Sequence, residues 1–380
     1  MKERLKSFIC LFGFYFITLL PLFSWEYYSP YGYRLDLPDG WEVLSENDPA
    51  KTAFTDSDHV CVLQVSLFPG MDHDSARDLC SEVQGNLSAS GDSADFIYSG
   101  TDAVFADFQF SAGSYPARGY FIFINTDDLD YVVTAFAAAE YYDRKHDFLL
   151  SCIDSFSPEG AAITAGPVSV FYDFIPDVDF RTSVFPFAQS SLSWTYSDSG
   201  IEGSQLLIER EARILVNYEG NRDAAWQRYY RMIYRDNYQR LQGLSQKLAG
   251  YFYKEGTPRE EIPELLLAEL QNFSYSRTGT LSDTLSPLSA AVEKQGDCDT
   301  RGLLYAILLN SMNFDTIILV SSEYSHSLAA VNLDKDGARY TYNGKQYLVA
   351  ELTDKVAIGM IPQSMADPSK WVPVGFGRAE

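Results

Sequence analysis

Apolar and polar positions alternate in short runs through the first part of the chain, which is the pattern of strands with one buried face. The strand-like runs cover residues 60–68, 103–110, 118–124 and 131–137. Helical spacing interrupts them at Ala76, Leu79, Val83 and Leu87, and it returns over residues 141–156. The pattern predicts an α+β domain over residues 26–158, in which helices flank an antiparallel sheet.

The middle of the chain mixes both patterns. Residues 168–174 and 206–218 contain apolar and β-branched runs that predict strands, so residues 159–222 are interpreted as a connecting β segment. Helical spacing dominates residues 224–250, where Trp226, Tyr230 and Ile233 begin an apolar stripe. A second helix is predicted over residues 259–273, because Thr257 and Pro258 supply a cap and a first-turn proline.

Composition indicates a folded chain with more than one domain. The 380 residues exceed one ordinary domain, and a hydrophobic content of 46% supports large cores. The formal net charge is −23, from 29 basic and 52 acidic residues. Such a surface repels phosphate backbones, so we expect no nucleic acid partner. The sequence does not indicate the oligomeric state.

The N-terminus has the features of a targeting segment. Lys2, Arg4 and Lys6 precede an uncharged apolar stretch over residues 8–25. This order is typical of a secretory signal, and the stretch is also long enough to cross a bilayer. Residues 1–25 are therefore predicted to direct export, as a cleaved signal peptide or as a retained membrane anchor. The protein is expected to be periplasmic, secreted or anchored to the membrane.

The chain has five cysteines, of which Cys10 lies in the targeting segment. Cys61, Cys80 and Cys152 fall in apolar-patterned segments, which favours small buried thiols. In an exported protein one disulfide among these three is the open alternative. Cys298 has a different setting and is treated separately.

Cys298 stands at the predicted start of a helix. Apolar residues from Leu303 onward give that helix a buried face, and Gly296 and Asp297 break and cap the chain just before it. Unpaired N–H groups and the dipole at a helix N-terminus favour a thiolate over a thiol. The charged neighbours, Asp297 and Asp299, disfavour a purely packing role. Cys298 is therefore a candidate nucleophile.

A histidine and a carboxylate follow on predicted strands. His326 comes 28 residues after the cysteine (326 − 298) and opens a strand, and Glu351 lies 25 residues further (351 − 326). Asn343 and Gly344 predict the tight hairpin that leads into the Glu351 strand. Only a sheet can bring the two side chains together. One His with one Cys cannot build a zinc site, so no metal or other cofactor is expected.

The string GDCDTRGLL around Cys298, the order of elements and the strand opened by His326 resemble the transglutaminase-like superfamily, which has the papain-like cysteine protease fold. The resemblance covers about residues 225–365, and the domain is placed at residues 223–370. It implies a cysteine-bearing helix packed on an antiparallel sheet. Family members end the hairpin with an Asp-Pro-Thr-like string. Here Glu351-Leu352-Thr353 puts Glu351 at the acid position, with Asp354 as the alternative.

The resemblance also implies the chemistry. Cys298 would attack an acyl carbon of a protein or peptide substrate, His326 would transfer the proton, and Glu351 would orient His326. The backbone N–H of Cys298 is the expected oxyanion donor. Gln271 is either a second donor or an ordinary surface glutamine. The expected function is an exported hydrolase or acyltransferase that acts on peptide or amide bonds.

Residues 27–43, YYSPYGYRLDLPDGWEV, resemble the start of PsbP-like domains. That resemblance implies a binding or scaffolding role for the N-terminal domain and carries no catalytic residue. The alternative function is therefore an envelope-associated binding or scaffold protein whose Cys-His-acid set is inactive.

Overall fold

The computed structural model describes residues 25–48, 50–70, 72–158, 163–173, 180–218 and 220–376. The predicted targeting segment lies outside these residues except for Trp25. The chain forms two compact units. The described residues of the first fall within 1–162, 166–174 and 217–225, and those of the second within 163–165, 175–216 and 226–380. Among the described helices, none combines the length and the apolar character needed to cross a membrane.

The first unit is built on antiparallel strands. A two-stranded ribbon is formed by β1 (Trp25–Tyr28) and β2 (Arg34–Leu37). A seven-stranded sheet has the order β3-β4-β5-β9-β8-β7-β6. Its strands are β3 (Glu42–Asp48), β4 (Lys51–Thr55), β5 (Cys61–Pro69), β6 (Ser90–Tyr98), β7 (Thr101–Ala112), β8 (Tyr115–Ile124) and β9 (Leu129–Ala138).

Helices cover both faces of this sheet. They are α1 (Ala76–Leu87), α2 (Tyr142–Asp154) and α3 (Pro167–Asp173). One core cluster contains Leu63 and Val133 of the sheet with Leu149 of α2. A second contains Phe108 of the sheet with Leu79 of α1. Because consecutive residues of each strand point to opposite faces, burial on both faces explains why these strands are so apolar.

The second unit contains a β-hairpin, six helices and a five-stranded sheet among its described residues. The hairpin pairs β10 (Phe180–Phe187) with β11 (Ser190–Ser197). The helices are α4 (Asp198–Val216), α5 (Arg222–Arg240), which starts in the first unit, α6 (Gln242–Glu255), α7 (Ile262–Leu270), α8 (Pro287–Glu293) and α9 (Cys298–Ser311). Short 3₁₀ turns lie at Arg259–Glu261, Gln363–Met365 and Pro368–Lys370.

The five-stranded sheet is antiparallel throughout and carries α9 on one face. Its order is β14-β15-β13-β12-β16. The strands are β12 (Thr316–Ser321), β13 (His326–Val331), β14 (Arg339–Tyr342), β15 (Lys345–Ala350) and β16 (Val372–Val374). Helix α9 packs on β12 and β13. Leu319, Leu328 and Tyr347 form a core on the sheet together with Trp371. The predicted α+β class, with antiparallel sheets and flanking helices, is confirmed.

The predicted strand over residues 168–174 is wrong, because its described residues, 168–173, lie in helix α3. A short apolar run fits a strand or a buried helix equally well by pattern alone. Tertiary contacts decide the outcome. The buried Asp154 carboxylate accepts hydrogen bonds from the Ser169 backbone N–H at 2.9 Å and from its hydroxyl at 2.7 Å, which stabilises the first turn of the helix.

The predicted strand over residues 206–218 is also wrong, because residues 206–216 lie in helix α4. The buried apolar residues include Leu207, Ile208, Ala212 and Leu215. Their spacing is helical rather than alternating, so the period of the pattern was misread. The β structure of the predicted connecting segment is confined, within its described residues, to the β10–β11 hairpin.

The long predicted helix over residues 224–250 is two helices. Helix α5 ends at Arg240 and α6 begins at Gln242, with Leu241 between them in a non-helical conformation. The predicted hairpin at Asn343 and Gly344 joins β14 to β15. Both of its turn residues have positive φ, 48° and 74°, as a type I′ turn requires.

Candidate functional site

Cys298 is the first residue of α9, where the sequence placed it. The Asp297 carboxylate caps the helix by accepting a hydrogen bond from the Thr300 N–H at 2.9 Å. Gly296 has φ 156°, and a Cβ there would lie 2.7 Å from the Thr300 side chain, so glycine is required. The cysteine is buried, with 4% of its surface exposed. Its own N–H belongs to the first turn and has no acceptor within the helix.

His326 opens β13, the strand on which α9 packs. Glu351 directly follows β15, which pairs with β13. This pairing brings the two side chains together, and His326 Nε2 lies 2.7 Å from Glu351 Oε2. The other carboxylate oxygen, Oε1, accepts from the Thr353 N–H at 2.7 Å and from its hydroxyl at 2.6 Å. The carboxylate is therefore fixed at both oxygens.

The Cys298 side chain is close enough to His326 to act on the pKa of the imidazole. Since Nε2 of the ring faces Glu351, Nδ1 is the nitrogen left for the sulfur. Burial by itself lowers the pKa of His326, but the hydrogen bonds to Cys298 and Glu351 and their negative charges outweigh burial and raise that pKa to about 10. Burial acts to raise the pKa of Glu351, and the hydrogen bonds from His326 and Thr353 reverse this and lower it. The geometry favours a charged imidazole between two acidic groups.

Gln271 has neither of the two roles considered for it. It is buried, and its amide nitrogen donates to the Glu351 carbonyl at 2.8 Å and to the Val356 carbonyl at 2.9 Å. Both N–H groups of the amide are therefore engaged by backbone carbonyls, which leaves none for an oxyanion. The side chain instead fixes the backbone of the acid-bearing loop. Asp354, the alternative acid, is exposed, and Glu351 is the carboxylate bonded to His326.

Two aspartates flank the nucleophile. Burial raises the pKa of Asp297 to about 6, and the nearby charge of Asp299 acts in the same direction. Asp299 accepts a hydrogen bond from the Tyr230 hydroxyl at 2.9 Å. Tyr230 is fully buried, and burial together with Asp299 raises its pKa well above the usual value. These contacts join α9 to α5 beside Cys298.

Aromatic residues stand beside Cys298, His326 and Glu351. Trp371 lies edge-to-face against His326 with ring centroids 6.5 Å apart, and Tyr324 packs on Trp371 at 5.4 Å. Trp371 is buried and donates its indole N–H to the Met365 carbonyl at 2.9 Å. Contact with Trp371 covers part of the imidazole, and partial burial of this kind strengthens polar contacts. The sequence pattern did not single out either ring, since both lie in segments with no regular periodicity.

Neither a metal site nor a disulfide is found in the part of the chain that the structure describes. No cluster of three His, Cys, Asp or Glu side chains there can hold a metal ion. Cys61, Cys80 and Cys152 are buried free thiols, as the apolar pattern favoured. Burial strongly raises the pKa of Cys61, and nearby Asp56 adds to the rise, which makes it a poor nucleophile.

Comparison with known proteins leaves the family undetermined. No protein-family model and no curated protein matches the chain. Cyanobacterial PsbP (CyanoP) from Synechocystis sp. PCC 6803 is 12% identical, with a TM-score of 0.30, over 38% of this chain and 98% of that one. A protein of unknown function, PA94 from Pseudomonas aeruginosa, is 15% identical, with a TM-score of 0.21, over 30% of this chain and 82% of that one.

A protein from Bacteroides thetaiotaomicron VPI-5482 matches a larger share of the chain. It is 9% identical, with a TM-score of 0.26, over 84% of this chain and 87% of that one. Scores this low make each of the three a weak structural likeness. The PsbP-like resemblance of the sequence therefore has a weak structural counterpart.

Proposed function

We propose that this chain is an exported transglutaminase-like thiol enzyme that acts on peptide or amide bonds. One observation carries the proposal: Cys298 acts on the pKa of His326, and side-chain hydrogen bonds run from His326 through Glu351 to Thr353. The set occupies the start of a helix and two paired strands, the arrangement that the resemblance to the superfamily implies. Export is proposed from the basic and apolar N-terminal segment.

The first chemical step follows from these positions. Cys298 gives its proton to His326, and the sulfur attacks the acyl carbon of the substrate. The C–N bond then breaks, His326 delivers the proton to the leaving amine, and the acyl group remains on the sulfur as a thioester. The N–H of Cys298 is the donor best placed for the oxyanion, because it lacks a helical acceptor and sits at the positive end of the dipole.

The second step releases the acyl group. Water or a primary amine gives a proton to His326 and attacks the thioester carbon, and the Cys298 sulfur leaves. Water yields a carboxylic acid, whereas an amine yields a new amide. The substrate is proposed to be a protein or a peptide. Which acceptor reaches the thioester decides between a hydrolase and an acyltransferase.

Alkylation of Cys298 tests the proposal directly. We expect iodoacetamide to alkylate Cys298 at about pH 6 at least about tenfold faster than free cysteine, because a cysteine at a helix N-terminus beside an imidazole gives up its proton to that base readily. Peptide mapping by mass spectrometry assigns the site, and the buried Cys61, Cys80 and Cys152 serve as internal controls. His326→Ala should remove the enhancement, whereas Asp354→Asn should retain it.

The same experiment distinguishes the alternative function. If Cys298 reacts no faster than free cysteine and His326→Ala changes nothing, the enzyme proposal fails. The chain would then be interpreted as an inactive binding or scaffold protein. If the enhancement is present, trapping the acyl-enzyme with a labelled primary amine separates acyl transfer from hydrolysis.

A further inference from the structure

A buried arginine lies beneath the proposed catalytic set. Arg301 is three residues after Cys298 on α9 and only 2% of its surface is exposed. It donates Nε–H to the Gly296 carbonyl at 2.8 Å and Nη1–H to the Leu352 carbonyl at 3.2 Å. These two hydrogen bonds engage a single rigid guanidinium.

The two carbonyls belong to different catalytic segments. Gly296 comes two residues before the nucleophile, and Leu352 comes one residue after the acid. Arg301 therefore joins the loop that delivers Cys298 to the loop that delivers Glu351. The planar fork of a guanidinium fixes both distance and angle, which a flexible ammonium group does not.

The charges around Arg301 are those of the catalytic site. The groups that interact with it electrostatically are Asp297, Tyr275, Cys298 and Glu351. The Tyr275 ring also lies 5.9 Å from its guanidinium carbon. Burial lowers the pKa of Arg301, and the negative groups oppose that effect. A charge is costly in this position, where an apolar residue would suit the fully buried helix, so packing does not explain it.

We infer that Arg301 is a positioning residue: it holds the nucleophile loop and the acid loop in register and places one positive charge between Cys298 and Glu351. The inference rests on the proposed function. Gln271 also holds the loop that carries Glu351, because its amide donates to the backbone carbonyls of Glu351 and Val356. With both contacts in place, the carboxylate that orients His326 cannot drift from the helix that carries the sulfur.

The test uses the full chain with Arg301→Gln, which removes the charge, and Arg301→Lys, which keeps the charge and loses the fork. Arg235→Gln is the matched control, since Arg235 is also a buried arginine that donates to a backbone carbonyl, that of Thr164 at 2.6 Å. Circular dichroism and the melting temperature report folding. The decisive readout is the alkylation rate of Cys298 from about pH 5 to about pH 11, a span that includes the His326 pKa of about 10.

For Arg301→Gln we expect the acidic limb of the profile to move up by about one pH unit, a rate loss of about tenfold at pH 6. Arg301→Lys should recover part of the loss, and Arg235→Gln should follow the wild-type profile. If Arg301→Gln does not fold, a shifted profile for Arg301→Lys supports the inference. Profiles of the folded Arg301 variants that superimpose on the wild type overturn it, as does an equal shift in Arg235→Gln.

Failure of this inference is distinguishable from failure of the proposed function. If wild-type Cys298 is alkylated faster than free cysteine and His326→Ala removes this difference, the thiol-enzyme proposal is supported, whatever the Arg301 variants do. If that enhancement is present and the Arg301 profiles are unchanged, only the positioning role is lost. If the enhancement is absent in the wild type, both proposals fall together.

Discussion

Glu351 has a buried carboxylate whose oxygens are both satisfied. His326 contacts one oxygen, and Thr353 donates twice to the other. A buried charge without partners would be strongly unfavourable, whereas a fully bonded one is tolerated. The result is a lowered pKa for the Glu351 carboxylate and a raised pKa for the His326 imidazole, which makes the imidazole a stronger base. The chemistry of this site therefore depends on one residue that contacts no substrate in our proposal.

The pKa shifts of His326 and Glu351 both stabilise the fold, but one contribution is lost as pH rises and the other as pH falls. The raised pKa of His326 contributes stability that is complete below its ordinary value of 6.5 and is lost as pH rises through about 10. The lowered pKa of Glu351 contributes stability that is complete above its ordinary value of 4.5 and is lost as pH falls through its folded-state pKa. The contact between the two residues is therefore strongest between about pH 4.5 and about pH 6.5.

Replacing Glu351 by glutamine tests this arrangement at the residue scale. Glu351→Gln keeps the size of the side chain and removes its charge, so the pKa of His326 should fall. We expect alkylation of Cys298 at pH 6 to slow by about tenfold or more, since each pKa unit is a factor of ten. The melting temperature should drop most near pH 6, and the difference from the wild type should narrow toward pH 10.

Asp354→Asn is the control for Glu351→Gln, because Asp354 is exposed and lies three residues away. It should leave both the alkylation profile and the melting temperature unchanged. Equal effects of the two variants would mean that general acidity of the loop matters rather than the contact to His326.

Helix α9 has a buried N-terminal cap, Asp297, at the turn that carries Cys298, the proposed nucleophile. The helix is buried on nearly all sides and is held in place by packing on β12 and β13. Asp297 is buried and caps the helix. Burial and the nearby charge of Asp299 make the ionised form of its carboxylate unfavourable. The hydrogen bond that Asp297 accepts stabilises the start of the helix, whereas the negative charge of its carboxylate does not.

Asp297→Asn separates the cap from its charge. The raised pKa of Asp297 means that the folded state loses stability as pH rises from the ordinary value of 3.8 to about 6. Asparagine keeps the acceptor and carries no charge. We therefore expect Asp297→Asn to exceed the wild-type free energy of unfolding by about 1–3 kcal/mol at pH 8 and to match it near pH 4.

Asp297→Ala serves as the comparison for that variant. It removes the cap and should cost about 1 kcal/mol relative to Asp297→Asn at either pH. Denaturant unfolding at the two pH values measures all three proteins. An asparagine variant less stable than the wild type at pH 8 would show that the charge favours the helix.

At the scale of the whole molecule, charge is the dominant feature. A net charge of −23 over 380 residues produces self-repulsion in a compact fold. The described ion pairs relieve part of it locally; one example is Arg228, which contacts the buried Glu211 at 3.0 Å. The remaining excess of acidic groups repels other polyanions.

Salt should therefore stabilise the protein. Raising NaCl from about 0.02 M to about 0.2 M shortens the screening length, and we expect the melting temperature at pH 8 to rise by about 2–5 °C. Near pH 4.5, the isoelectric point of the sequence, the effect should vanish. Duplex DNA should show no binding at either salt concentration. A melting temperature that falls with salt would mean that attractive ion pairs outweigh the repulsion.

Local patterns were sufficient for features that neighbouring residues determine. Alternation along the chain predicted the antiparallel sheets, and Asn343-Gly344 predicted the hairpin, because positive φ at both turn positions restricts the choice of residues. Gly296 and Asp297 before an apolar run located the start of α9 and with it Cys298. Glu351 was predicted as the carboxylate partner of His326 because Thr353 follows it at the spacing of the Asp-Pro-Thr-like string in the superfamily that the sequence resembles.

The tertiary structure decided what depends on distant partners. Residues 168–173 and 206–216 are helical although their apolar runs predicted strands. A short apolar run fits the period of a strand and that of a helix, and burial against distant residues selects one of them. Gln271 and Arg301 each bind carbonyls about 50 to 85 residues away in the sequence, and no local pattern encodes such contacts. The sequence by itself determined which groups can do chemistry. Only the fold decided which of them touch, because hydrogen bonds form between atoms brought together by packing and not by proximity in the chain.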